Sequence, residues 1–490
     1  MLHHAHSGEF IDAGSDVDVA IVGGGVVGAS VAARLSSTTA KICLLEAAGD
    51  LAEGASKGNG GVTDTGFDAS PGTLEAEMIV ASSHRWESLC ARLDVPFRRI
   101  GALVVANTEH DLERVNELHR DAAANSVRTE VISSRRAREM EPLLNPECLG
   151  ALWVPDEGII DPMRLTIGYA ELAARNGAEI RVRSPAIGFE FDGERVRVVH
   201  TPTGSVRARF VVNAAGLFAD GVDALAGADP CRMWPRRGQY WVLDRTFGSR
   251  LNHVIAPIPK PEARGVFVVP TTNGSALVGP TAEDREDRFD RSTDRETVDR
   301  LFARAQELIP TVSPDYAIKS FAALRPASDD IYRLRVDSRI GNLVHATGIR
   351  STGVSSSPAV ADRVFELLRV AGLQAQERES ALSSVPPIPR FGLRADPTGL
   401  ASVDAAYGQI VCACEQVSAA EIRAALRMRV PARSIAGVRK RTRATGGRCQ
   451  GSVCMAGVAF MCSLELGIAP QDVQLDDEVG TLGVGPAARS

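Results

Sequence analysis

A chain of 490 residues with 44% apolar and 24% charged residues has material for about three domains and none of the bias of a disordered or fibrous protein. Its formal net charge of −6 excludes a general nucleic-acid binder, which needs a basic surface to neutralise phosphates. No run of about 18 uncharged apolar residues is present to span a membrane directly.

Residues 1–15 hold three His and two acids but no apolar stretch, and read as a disordered leader on a cytoplasmic protein, not as a signal peptide. Asp18 to Val22 (DVAIV) has the pattern of a buried strand, Gly23 to Gly28 of a glycine-rich turn, and Val26 to Leu35 of a small-residue helix. Lys41 to Glu46 (KICLLE) follows as a second strand, completing a β-turn-α-β unit of the nucleotide-binding kind. Further strands are expected at Gly101–Ala106, Ala178–Val182, Arg209–Asn213, Tyr240–Leu243, Gly265–Pro270, Ala276–Val278 and Asn342–Ala346. Helical patterns fill Leu74–Leu93, Pro162–Asn176, Arg295–Leu308 and Ser357–Val370. Residues 375–400, charged at first and then rich in Pro and Gly (SSVPPIPRFG), read as a linker between a large α/β part over 16–374 and a cysteine-bearing part over 401–467. An Asp/Gly-rich tail over 468–490 ends the chain.

The turn Gly23-Gly24-Gly25-Val26-Val27-Gly28 fits G-x-G-x-x-G in its required place, after a strand and opening a helix. Gly23 permits the tight turn, Gly25 lets the backbone approach a pyrophosphate, and Gly28 lets helix and strand pack closely. The helix N-terminus then offers unpaired N–H groups to the phosphates. Glu46 lies 18 residues beyond Gly28, placed to accept hydrogen bonds from ribose hydroxyls and to disfavour a 2′-phosphate. The motif alone does not separate FAD from NAD, and no second copy occurs in a strand-helix context.

Of nine cysteines, Cys412, Cys414, Cys449 and Cys454 fall in one stretch, with 34 residues between the C-x-C and C-x₄-C pairs. In a reducing compartment such clustering points to metal ligation. Four thiolates suit a 2Fe–2S cluster or zinc, and the spacing, unlike a zinc knuckle's C-x₂-C, favours iron and sulfur. Between the pairs runs Arg439-Lys440-Arg441-Thr442-Arg443, either a solvated basic strand or loop, or cations that offset the cluster's charge or dock an acidic redox partner.

These stretches, with GNGGVTDTGFDASPGTLEAEM, VPDEGIIDP, VVNAAGLFAD, RGVFVVPTTNGSALVGPTAED, LRPASDD and GIRSTGVSSSPAVA, resemble the FAD-dependent glycerol-3-phosphate dehydrogenases of the D-amino-acid-oxidase-like superfamily. The segment VRKRTRATGGRCQGSVC is similar to a bacterioferritin-associated-ferredoxin-like module. The resemblance implies an α/β fold: a Rossmann-like FAD domain interleaved with an α+β substrate domain, from about 69–136 and 231–321, plus a small C-terminal iron–sulfur domain. It implies FAD held by Gly23, Gly25, Gly28 and Glu46, with Ser56, Asn59 and Gly61 near the pyrophosphate and flavin. Ala215 and Gly216 would pass the adenine side, and Gly348, Ser351, Gly353, Val354 and Ser355 would line the isoalloxazine. Arg325 would grip a substrate phosphate or carboxylate, with Arg264 and Arg350 as further anion-binding candidates.

The chain departs from its relatives at one place. Where the family reads N-S-G-V-x-H, with Ser and His facing the substrate, this sequence has Gly60 and Asp64. Either Asp64 is a retuned base, or another group takes the proton, or the substrate differs. The expected activity is oxidation of a small anionic alcohol, glycerol 3-phosphate or a related polyol phosphate, with electrons leaving through the 2Fe–2S cluster. The cluster implies a redox partner subunit or a quinone-linked acceptor, with association at a membrane through that partner and homo- or hetero-oligomers both compatible. A 2-hydroxy acid or amino/imino acid dehydrogenase is the alternative, and a non-catalytic electron-transfer subunit is an alternative of another class.

Overall fold

The computed structural model describes residues 15–260, 264–393 and 398–476; residues 1–14 of the expected leader and most of the expected tail therefore lie outside the described residues, and Ser15, given to the leader, opens the first strand. Strand Ser15–Val22 runs parallel to Ile42–Leu45 on one side and to Val206–Asn213 on the other. Glu179–Arg181 and Leu343–Thr347 extend the parallel part, and further strands complete an eight-stranded sheet. Parallel strands covered on both faces read as continuous apolar runs, and all four residues of Ile42–Leu45 are buried. Helices Val26–Ser36, Pro162–Arg175 and Gly353–Val370 cover one face, and Val19, Ile21, Leu44, Leu165, Val360 and Val364 share its core.

A nine-stranded sheet forms the second layer of the molecule. It takes Ala102–Ala106, Glu130–Ser133 and Gly150–Val154 from the first half of the chain, then the strands between Met233 and Ser328. Its spine is the antiparallel pair Met233–Leu243 and Ala317–Ser328, in continuous register from Met233 opposite Ser328 to Val242 opposite Lys319, with a one-residue shift before Leu243 meets Ala317.

Three elements differ from the sequence pattern for identifiable reasons. The stretch Leu74–Leu93 is two helices, Leu74–Ser83 and Trp86–Arg92. Ser82 and Ser83 turn their hydroxyls back onto Met78 O and Val80 O, competing with the backbone ladder at the break. An additional helix, Glu109–Ala124, starts at a capping box between Thr108 and Asp111. The basic run closes a helix, Ile435–Thr442, capped by Ser434, so it is neither a strand nor a solvated loop: Lys440 and Arg441 are buried.

The C-terminal helices Ala419–Leu426, Ile435–Thr442 and Met455–Leu466 enclose a core of their own that includes Ile422, Val438, Val458 and Cys462. Two buried polar junctions fasten this unit to the rest. Arg441 makes a bidentate pair with Asp50 at 2.7 and 2.9 Å, and Lys440 donates to Asp50 at 3.2 Å. Arg164 donates to Arg441 O and to Asp94, and Arg390 joins the same Asp94. Residues 375–393 are thereby pinned along the surface, with Arg378 donating to Ser36 O and Asn176 O, and Val385 N to Arg92 O.

Candidate active site

The glycine turn is built as its spacing requires. Gly23 has φ +114°, and a Cβ there would stand 2.4 Å from Ala214 O; a Cβ on Gly28 would stand 1.9 Å from Gly23 O. Helix Val26–Ser36 therefore rests directly on the strand before it. Its first free N–H, on Val26, is accepted by Ser56 Oγ at 2.9 Å. Glu46 accepts from Gly24 N at 2.6 Å and Ala48 N at 2.8 Å, while burial pushes its carboxyl up. Asn59 links two further loops, accepting from Gly61 N at 2.8 Å and donating to Ser351 O at 3.3 Å.

These residues border a cavity of about 1530 Å³ that runs between the two sheets. Gly23, Gly25, Glu46, Ser56, Asn59, Ala215, Gly216, Gly348, Ser351, Gly353 and Val354 line it, whereas Gly28, Gly61 and Ser355 stand behind the lining. Arg350 also lines it, with φ +52°, a left-handed backbone costly for a residue with a Cβ.

Asp64, Arg264 and Arg325 stand directly behind this lining: Arg325 falls between the lining residues Leu324 and Pro326, and Asp64 is bonded to Ser355, which follows the lining residue Val354. Asp64 is locked between Arg264 Nη1 at 2.8 Å and Ser355 Oγ at 2.6 Å. Arg264 also pairs with Asp68 at 2.8 Å. Burial opposes the charge of Arg264, but the carboxylates of Asp68, Asp64, Glu75 and Glu157 outweigh it and hold the guanidinium firmly protonated. Burial, with Asp64 close by, pushes Glu157 up to about 8 although Thr65 N and Oγ1 both donate to it. Arg350 is neutralised by Glu75 at 2.5 Å. Arg325 is different, for its partners are backbone carbonyls, Thr281 O at 2.5 Å and Arg236 O at 3.4 Å, and burial lowers its pKa. Tyr240, stacked on Phe321 with ring centroids 4.9 Å apart, lies beside Gly60 and Arg325. Of the four acids around Arg264 only Asp64 is singled out by the sequence; Asp68, Glu75 and Glu157 lie inside quoted stretches but carry no spacing signal of their own, and neither does the aromatic pair.

The four clustered cysteines converge as two facing pairs, Cys412 with Cys454 and Cys414 with Cys449. Amide donors from Val453 and Gly451 bring Cys449 down to about 7, and burial raises Cys454 to about 11. A thiolate braced by backbone amides is what iron ligation requires, so the residues fit the cluster. The loop beside them touches the cavity wall: Asn273, a lining residue, donates to Glu415 at 3.3 Å, and Arg245 donates to Cys414 O at 3.1 Å. Among the described residues no helix is long and apolar enough to cross a membrane.

The sequence matches the FAD dependent oxidoreductase family over residues 18–367 and the BFD-like 2Fe–2S binding domain over residues 410–459. Glycerol 3-phosphate dehydrogenase of Caloramator mitchellensis is 33% identical over 475 residues, 96% of this chain and 98% of that protein. Glycerol 3-phosphate oxidase of Mycoplasma pneumoniae is 31% identical over 362 residues, covering 72% of this chain and 94% of its own. The structure of dithionite-reduced L-α-glycerophosphate oxidase from Mycoplasma pneumoniae with FAD bound matches with a TM-score of 0.72 at 28% identity, over 76% of this chain and 99% of that one. The chain belongs to the FAD-dependent oxidoreductase family and is an enzyme that works with FAD and, through its C-terminal unit, with a 2Fe–2S cluster.

Proposed function

We propose that the enzyme oxidises glycerol 3-phosphate, or a closely related polyol phosphate, and passes the electrons through its cluster to a protein or quinone-linked acceptor. The observation that carries this reading is the similarity to a glycerol 3-phosphate dehydrogenase along nearly the full length of both chains, cluster unit included. Bound FAD supplies the two-electron acceptor and the cluster a one-electron carrier.

Arg325 is assigned the substrate's phosphate. It is part-buried, fixed by two carbonyls, and pairs with no carboxylate among the described residues, so its charge is left for a ligand. Arg264 and Arg350 are spent on Asp64, Asp68 and Glu75, and act as positioning residues. The hydroxyl proton moves to a carboxylate oxygen of Asp64, which occupies the place of the family's histidine. Arg264 and Ser355 orient that carboxylate, and Glu157 keeps its own proton at neutral pH, so the pair carries one negative charge in place of two. Tyr240 stands against Gly60, the position of the serine in the N-S-G-V-x-H motif that this stretch resembles. The contact from Asn273 to Glu415, next to Cys414, supports an exit for electrons at that wall of the cavity.

Anaerobic titration of the holoprotein tests this. Glycerol 3-phosphate should bleach the flavin band, and 2-hydroxy acids and amino acids should not. Bleaching by a hydroxy acid or amino acid alone would transfer the assignment to that substrate, and no bleaching by any would support an electron-transfer subunit instead.

A further inference from the structure

The cavity wall carries positive charge that is separate from the glycine turn and from Arg325. Lys319 lines it from strand Ala317–Ser328, and Arg439 and Arg443 line it from the end of helix Ile435–Thr442 in the cluster unit. The charges bearing on Lys319 are Arg439, Arg443 and Lys57, all cations. Lys57 is taken up by Glu53. Arg439 Nε donates only to the hydroxyl of Thr445 at 2.8 Å, and Arg443 Nε is buried without a partner. Among the described residues none of the three pairs with a carboxylate, and burial together with its neighbours pulls the Lys319 ammonium down to about 8.

Like charges gathered in a desolvated wall repel, and an anion between them removes the repulsion. The cysteines do not supply it for Lys319, since the one that bears on this group, Cys454, bears on Arg439. Arg325 does not share the task either. It lies six residues further along the same strand, about 20 Å away at the rise of an extended chain, beyond the reach of a single phosphate.

We propose that Lys319, Arg439 and Arg443 form a phosphoryl-anion site shared between the flavin unit and the cluster unit, distinct from the anion grip at Arg325. Two forked guanidinium groups and one ammonium suit a phosphoryl group, which offers three acceptor oxygens. The phosphoryl group has two chemical sources. One is the pyrophosphate of the bound dinucleotide, because Lys57 follows Ser56, the residue that accepts from the first turn of the phosphate-facing helix. The other is a free phosphorylated molecule. The proposal rests on the cavity and its charges and does not depend on which alcohol is oxidised.

The test titrates inorganic phosphate into holoprotein by calorimetry, and follows FAD release on dilution, for the wild type, Lys319→Met, Arg443→Gln and Lys319→Arg. Phosphate binding that weakens at least tenfold in the two neutral variants, with FAD and iron content unchanged, identifies a free anion. No phosphate binding to holoprotein, with FAD release at least tenfold faster in the neutral variants, identifies the dinucleotide's own pyrophosphate. Lys319→Arg should retain most of either property; equal loss in that variant makes the residue structural and overturns the proposal. It is also overturned if neither neutral variant changes phosphate binding or FAD release, the result expected if the cluster alone balances these charges. Should Lys319→Met fail to fold, Arg443→Gln, in the other unit, gives the same discrimination.

Discussion

Replacing Asp50 by Asn removes the one carboxylate that, among the described residues, holds Arg441, whose side chain is 0% exposed. Arg441 would keep Val430 O and Gly437 O as acceptors, and Lys440 would keep Glu53, but the guanidinium would be left as a buried, uncompensated charge. Stranding one member of a buried pair costs about 3–5 kcal/mol. An independent route gives a similar scale. Against burial, which raises it, Arg441 and Lys440 hold the Asp50 carboxyl down to about 2 from 3.8, a difference worth about 2–3 kcal/mol. Because this pKa is depressed in the folded state, the stabilisation is complete above the unfolded value near 3.8 and disappears as pH falls through about 2. The assay is hydrogen exchange of helix Ile435–Thr442 at pH 7, together with the thermal midpoint of the cluster unit read from its visible absorbance. Asp50→Asn should accelerate exchange in that helix by about two to four orders of magnitude, the rate equivalent of 3–5 kcal/mol. Unchanged exchange, or a penalty that persists when Arg441→Met is added to Asp50→Asn, would refute the reasoning.

Arg325→Ala should lower kcat/KM by about a hundredfold or more, roughly 3 kcal/mol, while FAD stays bound; Lys in its place should recover only part, which steady-state kinetics on the substrate panel would reveal. Gly28→Ala should cost about 1–3 kcal/mol and release FAD, since its methyl would overlap Gly23 O, and flavin content per chain reads this directly. Glu157 is raised in the folded state, so folding favours its protonated form and stability falls as pH rises from the unfolded carboxyl value of 4.5 towards about 8. Glu157→Gln should therefore raise the thermal midpoint more at pH 8 than at pH 5, and an equal gain at both would contradict the assignment.

The parts of this molecule that could be read from the chain are those whose determinants are local. The strand-glycine-helix unit is written within residues 18–46, and the close approach at Gly28 follows from Gly23 and Ile21 inside that unit, whereas Gly23 is also closed against Ala214 at the end of the neighbouring strand. The cysteine pairs announce themselves by spacing in the same way. The basic run does not, because the partner that explains Arg441 is Asp50, 391 residues away in sequence. The same holds for Arg264, which looks like a free substrate-binding cation until Asp64 and Asp68 are seen around it, and for Arg350, whose partner Glu75 is 275 residues distant. Helix Glu109–Ala124 is an exception, for its capping box was present at Thr108 and Asp111 and could have been found. Strand Ala317–Ser328 carries no clean alternation, because Lys319 and Arg325 face inward among its apolar positions and the partner strand Met233–Leu243 sets its register.

The hub at Asp94 has a bearing on how such a protein can be divided. Arg164, Arg390 and Ile388 N all converge on this one aspartate, and Arg164 reaches on to Arg441 O, so the covalent thread between the halves duplicates a grip that side chains already provide. A nick in the thread, or a gene split there into two polypeptides, would leave the halves able to find each other and reassemble with the iron centre in its native place.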